Sequence, residues 1–196
     1  MNADTPTPPV PDTARTAMGL LELQPALDNP HLLAGSVLAA LTAGVIPADE
    51  VWVAAIDPAL ADTEALVGAY RVGLDVSANC VVVAGRRGDR TSYAGCCVLA
   101  TTRADVNGVV RRELDARKAS FAPVDATLTA TGMEYGGITP VGLPSEWPVL
   151  VDSAVATTPW VCIGSGIRGS KLVVPGHRLA GLPMGRALAL AIGSAG

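Results

Sequence analysis

The apolar positions of this chain fall into short runs separated by loops, and two spacings alternate along it. Runs of adjacent apolar residues predict strands at Val51–Ile56, Asn79–Ala84, Ser92–Thr101, Ala119–Ala122, Val149–Val151, Trp160–Ile163 and Leu172–Val174. Helical spacing lies between them. Asn29 and Pro30 read as the cap and first residue of a helix whose buried stripe is Leu33, Val37, Leu38 and Leu41, with Gly44 as its terminator. Thr63 opens a second helix, turning Leu66, Val67 and Tyr70 toward a core. Asp105 caps a third, through Leu114, with Val106, Val109 and Val110 on its apolar face; Pro123–Gly132 predicts a further short one. Gly85–Arg90 carries the turn chemistry that makes a hairpin of the second and third strands. Strands interleaved irregularly with helices imply an α/β or α+β domain around a mixed sheet.

Composition sharpens this picture. At 196 residues, 49% hydrophobic and 16% charged, the chain can bury one sizeable core. Aromatics are only 4%, so that core must be built from small and branched side chains. Met1–Thr16 is rich in Pro, Thr and Asp and has no apolar periodicity. Nothing there could offset the entropy of ordering, so a disordered tail is expected. The tail lacks the basic start and apolar run of a signal peptide, and the longest apolar stretch, Leu32–Ile46, is too short to cross a bilayer. A soluble, cytoplasmic protein without membrane contact is expected.

Charge is unevenly spread beneath a net −4. Residues 1–70 hold one basic side chain against nine acidic ones, whereas residues 71–196 hold thirteen against nine. A mildly basic surface suits a short contact with phosphates, not the wrapping of long duplex DNA. Cys80, Cys96, Cys97 and Cys162 lie in or beside strand-like runs and form no C-x-x-C pair. Cys96 and Cys97 should face opposite sides of one strand, and all four read as reduced, buried small hydrophobes.

Two glycine-rich loops are the candidate sites. Gly164-Ser165-Gly166-Ile167-Arg168-Gly169 satisfies G-x-G-x-x-G after a strand, but Lys171–Val174 continues as a strand, where dinucleotide binding needs a helix. The acid expected some twenty positions on is missing, since Asp152 is the last acid in the chain. What remains is a strand–loop–strand hairpin whose amides could approach an oxyanion, with Arg168 as a planar cationic donor. The second loop, Gly136-Gly137-Ile138-Thr139-Pro140-Val141-Gly142, is too apolar for a loose surface segment and could wall off a small pocket. His31 and His177 fit no zinc spacing. A Ser165–His177–Asp152 triad can be drawn on paper, yet no nucleophile elbow surrounds Ser165.

Taken in order, Ala116–Pro123, Thr131-Gly132-Met133, Gly136–Gly142, Leu150-Val151-Asp152 and Gly166-Ile167-Arg168-Gly169 resemble the YbaK/EbsC proteins, relatives of the editing domain of bacterial prolyl-tRNA synthetases. The similarity spans roughly residues 60–185. It implies a single α/β domain with a mixed, barrel-like sheet flanked by helices. It also implies hydrolysis of the ester joining a small amino acid, Ala or Cys, to the 3′ end of a tRNA, most often that for proline, without metal or other cofactor. The partner implied is the aminoacyl-tRNA 3′ end, with prolyl-tRNA synthetase a candidate second partner.

The resemblance also distributes roles. Gly136, Gly137, Ile138, Thr139, Pro140 and Gly142 would shape the amino-acid pocket, with Asp152 and Gly169 also on the substrate side. Gly164, Ser165, Gly166 and Arg168 would lie at the reaction centre, amides of the two glycine loops serving as oxyanion donors. One departure stands out: the lysine the family places early in the first hairpin strand, thought to hold the terminal phosphate or the ester, is here Asn79. Asn79 can donate a hydrogen bond but carries no charge. Lys118 matches another family position and is a candidate RNA contact. Three readings stay open: a trans-editing deacylase, a non-catalytic binder of aminoacyl or nucleotide ligands that lost the lysine, and an unrelated hydrolase using Ser165. The expected organisation is a tail over 1–16, a helical extension over 17–59 packed on the core, and the editing-type domain over 60–196.

Overall fold

The computed structural model describes residues 9–193. In chain order the elements are α1 (Asp12–Ala17), β1 (Gln24–Pro25), α2 (Gly35–Thr42), β2 (Trp52–Ala55), α3 (Thr63–Tyr70), β3 (Ala78–Arg87), β4 (Arg90–Leu99) and β5 (Thr102–Ala104). There follow α4 (Arg111–Glu113), β6 (Lys118–Phe121), α5 (Val124–Thr131), β7 (Val149–Asp152), α6 (Ser153–Thr157), β8 (Val161–Gly164), β9 (Ser170–Val174), α7 (Gly176–Ala180), β10 (Gly185–Leu188) and β11 (Ala191–Gly193).

The strands form two main sheets, not one barrel-like sheet. One has the order β1-β2-β9-β8 and is antiparallel throughout. The other has the order β10-β7-β4-β3-β6; its β10, β7 and β4 run parallel, and β3 and β6 pair antiparallel. A short β11-β5 pair stands apart. A parallel bridge between Ser77 and Cys162, with the Cys162 amide donating to the Val76 carbonyl at 2.8 Å, stitches the two sheets together at one edge.

Alternation along the strands explains why both sheets read as unbroken apolar runs. Val53, Leu172, Val174, Cys97, Val149 and Val151 share a central cluster with α2, α6 and α7. Their neighbours Trp52, Ala54, Cys162 and Val173 face the opposite side and pack on α1 and α3. On the far side of the other sheet, Cys96, Val98 and Leu150 meet Val110 and Leu114 at α4. A strand covered on both faces has no polar side to show. Cys96 and Cys97 therefore do face opposite ways, and all four cysteines are free thiols.

Several expectations need correction. The tail prediction fails from Val10 onward: residues 12–17 form a helix, with Val10 and Ala14 buried among Met18, Trp52 and Leu66. Three apolar contacts on a pre-existing sheet face suffice where the isolated segment could not, because tertiary packing supplies most of a short helix's stability. The rest of the tail, residues 1–8, lies outside the described residues. The helical extension over 17–59 is mostly not helical; it supplies β1 and β2, and β2 is an inner strand between β1 and β9. The helix expected from Pro30 is split. Pro30–Leu32 is a single 3-10 turn, Leu33 is extended, and α2 starts at Gly35. The break lets the Ala34 amide donate to the Ser165 carbonyl at 3.2 Å, while the Ser170 hydroxyl donates to the Leu32 carbonyl at 2.6 Å. These bonds hold the 164–170 loop against the α2 end of the molecule.

The hairpin turn is tighter than Gly85–Arg90. It closes on Gly88 and Asp89, Gly88 taking φ +59°, and Gly85–Arg87 continue as strand because β6 pairs along them. Asp105 caps its helix as expected, accepting from the Gly108 and Val109 amides, although the first turn is π-helical before α4.

Candidate functional site

A cavity of about 380 Å³ opens where the stitched edges of the two sheets meet. Its walls come from four places: the start of β3 (Ser77–Val82), the end of β8 with Lys171 of β9, the approach to α3 (Ala61–Thr63 and Leu66), and the β6–α5 junction. Tyr135, Gly136 and Ile138 close it from the side. This size is that of an ordinary small-ligand site. Phe121 and Tyr135 stand at its mouth, 64% and 62% exposed.

Of the residues singled out in sequence, Asn79, Gly136, Ile138 and Gly164 line this cavity. The Asn79 side-chain oxygen accepts from the Thr63 hydroxyl at 3.0 Å, leaving its NH₂ for a ligand. The two glycine loops lie back to back. The Glu134 amide donates to the Gly166 carbonyl and the Gly166 amide to the Gly137 carbonyl, both at 2.8 Å. A Cβ on Gly137 would stand 2.6 Å from the Ile167 backbone, and one on Gly164 would strike the Gly137 and Ile138 carbonyls. These glycines are required for the loops to approach each other.

That packing changes which amides are free. Gly137, Gly166 and Arg168 spend theirs inside the fold, on the Glu134 carbonyl, the Gly137 carbonyl and the Glu134 carboxylate respectively. The Gly136 and Ile138 amides have no acceptor among the described residues, and both residues line the cavity. Gly137, Gly166 and Arg168 are therefore removed from the candidate oxyanion donors, and Gly136 and Ile138 remain on the Gly-x-x-x-Pro loop.

Arg168 holds the loops together from outside the cavity. Its guanidinium donates to the Pro58 carbonyl at 2.8 Å, the Tyr135 carbonyl at 3.4 Å and the Asp62 carboxylate at 3.3 Å. It ties the Gly136 loop to the segment that leads into α3, and is a positioning residue in this geometry. Thr139 and Pro140 are buried, and Pro140 and Gly142 border a second, smaller cavity of about 130 Å³ beside Trp147 and Leu182. Gly169 and Lys118 do not reach the main cavity; Lys118 is exposed on β6, opposite Arg86.

The paper triad is not assembled. Ser165 is fully buried, and its hydroxyl donates to the Ser170 hydroxyl at 2.6 Å, with the Ile167 and Ser170 carbonyls within 3.2 Å as alternative acceptors. The Asp152 carboxylate accepts from the Ala154, Leu190 and Ala191 amides, capping α6 and pinning the chain after β10. Neither faces the cavity or His177. Asp152 spends its carboxylate on three backbone amides and Ser165 its hydroxyl on neighbouring oxygens, which leaves neither for a triad.

Sequence reasoning passed over Lys171. It is 8% exposed, lines the cavity floor, and its Nζ donates to the Ala61 carbonyl at 2.8 Å. Burial pushes its pKa below the ordinary lysine value. A lysine opening the apolar run Lys171–Val174 was the visible signal. Among the described residues no cluster of His, Cys, Asp or Glu could hold a metal ion, and no helix is long and apolar enough to cross a membrane.

A two-sheet α/β domain with a small cavity walled by a glycine–proline loop defines an editing-type fold, and comparison places it. A sequence model of the aminoacyl-tRNA editing domain matches residues 57–182, and the chain belongs to that family. A solved "putative trans-editing enzyme for prolyl tRNA synthetase" superposes with a TM-score of 0.68 at 19% identity, covering 82% of this chain and 97% of that one. A structure described as a hypothetical protein superposes with a TM-score of 0.59 at 18% identity, covering 71% and 90%. At such identities these likenesses speak to the fold. No curated protein sequence matches the chain.

Proposed function

We propose that this chain is a trans-editing deacylase that hydrolyses the ester of a small mischarged amino acid, Ala or Cys, on the 3′ end of tRNA for proline, acting in the cytoplasm. The observation that carries this reading is the cavity wall at Gly136 and Ile138, where two free amides border a space sized for a small acyl group and its sugar. Water adds to the ester carbonyl carbon, the acyl–oxygen bond breaks, and the ribose oxygen leaves as a hydroxyl carrying one water proton. The amino acid departs as carboxylate, releasing the other. The Gly136 and Ile138 amides meet the oxyanion as it develops, where pre-oriented donors contribute most. With no basic side chain other than Lys171 in the wall, the substrate's neighbouring ribose hydroxyl orients the water.

Phe121 and Tyr135 at the mouth suit stacking on the terminal base, the common way proteins hold unpaired nucleotides. Lys118 and Arg86, paired across β6 and β3, continue a basic strip from Phe121 toward the acceptor stem. Prolyl-tRNA synthetase would supply the mischarged tRNA. Discrimination against proline rests on size, and one methylene is worth only about 1–3 kcal/mol.

A second reading has one observation behind it. The Asn79 oxygen is held by Thr63 where the family resemblance expects a lysine, which would suit a binder that no longer turns over. Hydrolysis of tRNA for proline charged with Ala, Cys or Pro separates the two. Release of Ala or Cys with Pro spared supports the deacylase; binding of all three without release supports the binder and sinks the deacylase.

A further inference from the structure

Among the described residues, Lys171 is the only cationic side chain in the cavity wall, and the only other charged one there is Asp62. It sits on β9 directly across from Gly164 of β8, with Ala54 of β2 on its other side. Its Nζ is anchored by the Ala61 carbonyl, which spends one of three N–H donors. Among the described residues no carboxylate lies within ion-pair distance of it; the nearby Asp62 is bonded to Arg168 instead. A lysine left only 8% exposed, with no anionic partner for its ammonium, is costly to keep. A purely structural role at this position would be served as well by an apolar residue, as Val173 on the same face of β9 shows. Two donors remain on a side chain that lines the cavity.

We propose that Lys171 provides the cation that binds an anionic oxygen of the substrate in this cavity, taking over from a neighbouring strand the charge that Asn79 does not carry. The inference rests on the deacylase reading. The two residues flank the entry to α3: Lys171 bonds the Ala61 carbonyl and Asn79 bonds Thr63, two residues further on. An ammonium reaching in from β9 and one reaching in from β3 can therefore serve the same space. The chemistry is that of an oxyanion, either the ester oxygen as it gains charge or the phosphate of the terminal nucleotide. Asp62, Cys162 and Arg168 are the titratable and charged groups around it: burial lowers its pKa most, Cys162 and Asp62 oppose that, and Arg168 adds to it.

The test compares wild type, Lys171→Met, Lys171→Arg and the double variant Lys171→Met/Asn79→Lys on alanyl-tRNA for proline, with each fold checked by thermal unfolding. Lys171→Met should stay folded, since it removes a buried charge, and lose at least 100-fold in kcat/KM. Loss in kcat alone assigns the ester oxyanion, and loss in KM alone the phosphate. Recovery of at least tenfold by the added Asn79→Lys would show that the cavity needs a cation and not this side chain's packing. The alkaline limb of the wild-type kcat/KM profile should fall below the pH of an ordinary lysine and vanish in Lys171→Met. Wild-type kinetics in a folded Lys171→Met overturns the proposal, as does failure of the Asn79→Lys rescue. If wild type hydrolyses no charged tRNA, the deacylase reading falls. Lys171 is then judged by inorganic phosphate binding followed by titration calorimetry: binding lost in Lys171→Met supports the assignment, and equal or absent binding in both proteins overturns it.

Discussion

At the scale of single residues, the polar side chains most visible in sequence turn out to be spent on the fold. Ser165 is satisfied within its own loop, and Asp152 by the Ala154 amide beside it and the Leu190 and Ala191 amides beyond β10. Arg168 shows the same logic at longer range, because three bonds from one planar fork join segments far apart in sequence. Arg168→Ala should lower stability by about 1–3 kcal/mol through unpaired carbonyls, and cut kcat/KM at least tenfold by loosening the Gly136 loop. Arg168→Lys should recover stability only in part, since it lacks the fork. Urea unfolding alongside steady-state kinetics reads both effects; full activity in Arg168→Ala would show that the loop holds its shape without the clamp.

At the scale of elements, α1 separates local propensity from tertiary context. Its six residues have no strong helical signal, yet Ala14 is fully buried against the outer face of the β2-β9 sheet. Ala14→Asp would place a carboxylate in that interface, where burying a charge costs several kcal/mol. Urea unfolding should show a loss of at least 3 kcal/mol, whereas a disordered segment would tolerate the change within about 0.5 kcal/mol. The π-helical turn after Asp105 and the split before α2 belong to the same lesson. Each departs from the regular pattern where a backbone group finds a partner in another part of the chain.

At the scale of the whole molecule, the three apolar clusters and their thiols set a limit at high pH. Burial raises the Cys162 thiol to about 11 and the Cys96 thiol to about 12, and pushes Cys80 and Cys97 up as well. An acid whose folded pKa is raised holds its proton longer in the folded chain than in the unfolded one. Its contribution is complete below the ordinary thiol value of 9.0 and is lost as pH rises through the folded value. From pH 9 up to each thiol's folded value, about 11 for Cys162 and about 12 for Cys96, each pH unit should remove about 1.4 kcal/mol per buried thiol. Chemical unfolding at pH 8, 9.5 and 10.5 should show this slope, and Cys96→Ala should flatten it by one thiol's share. An unchanged slope in that variant would mean Cys96 is accessible to base in the folded state.

The sequence by itself determined the strands and helices from Val51 to Val174 apart from β5 and α6, the opposed faces of Cys96 and Cys97, the two glycine loops, and through motif order the editing family. These are local quantities: apolar spacing, caps and turn residues act within a few positions of the chain. Tertiary structure decided the rest. Two sheets stitched at Ser77 and Cys162, the recruitment of residues 10–55 into the core, and the pairing of loop with loop all depend on contacts between distant segments. The cavity follows from that stitching, and with it the choice of Gly136 and Ile138 over Gly166 as free donors. Lys171 reaches the cavity because β9 is paired between β2 and β8, a neighbour relation that no spacing along the chain encodes.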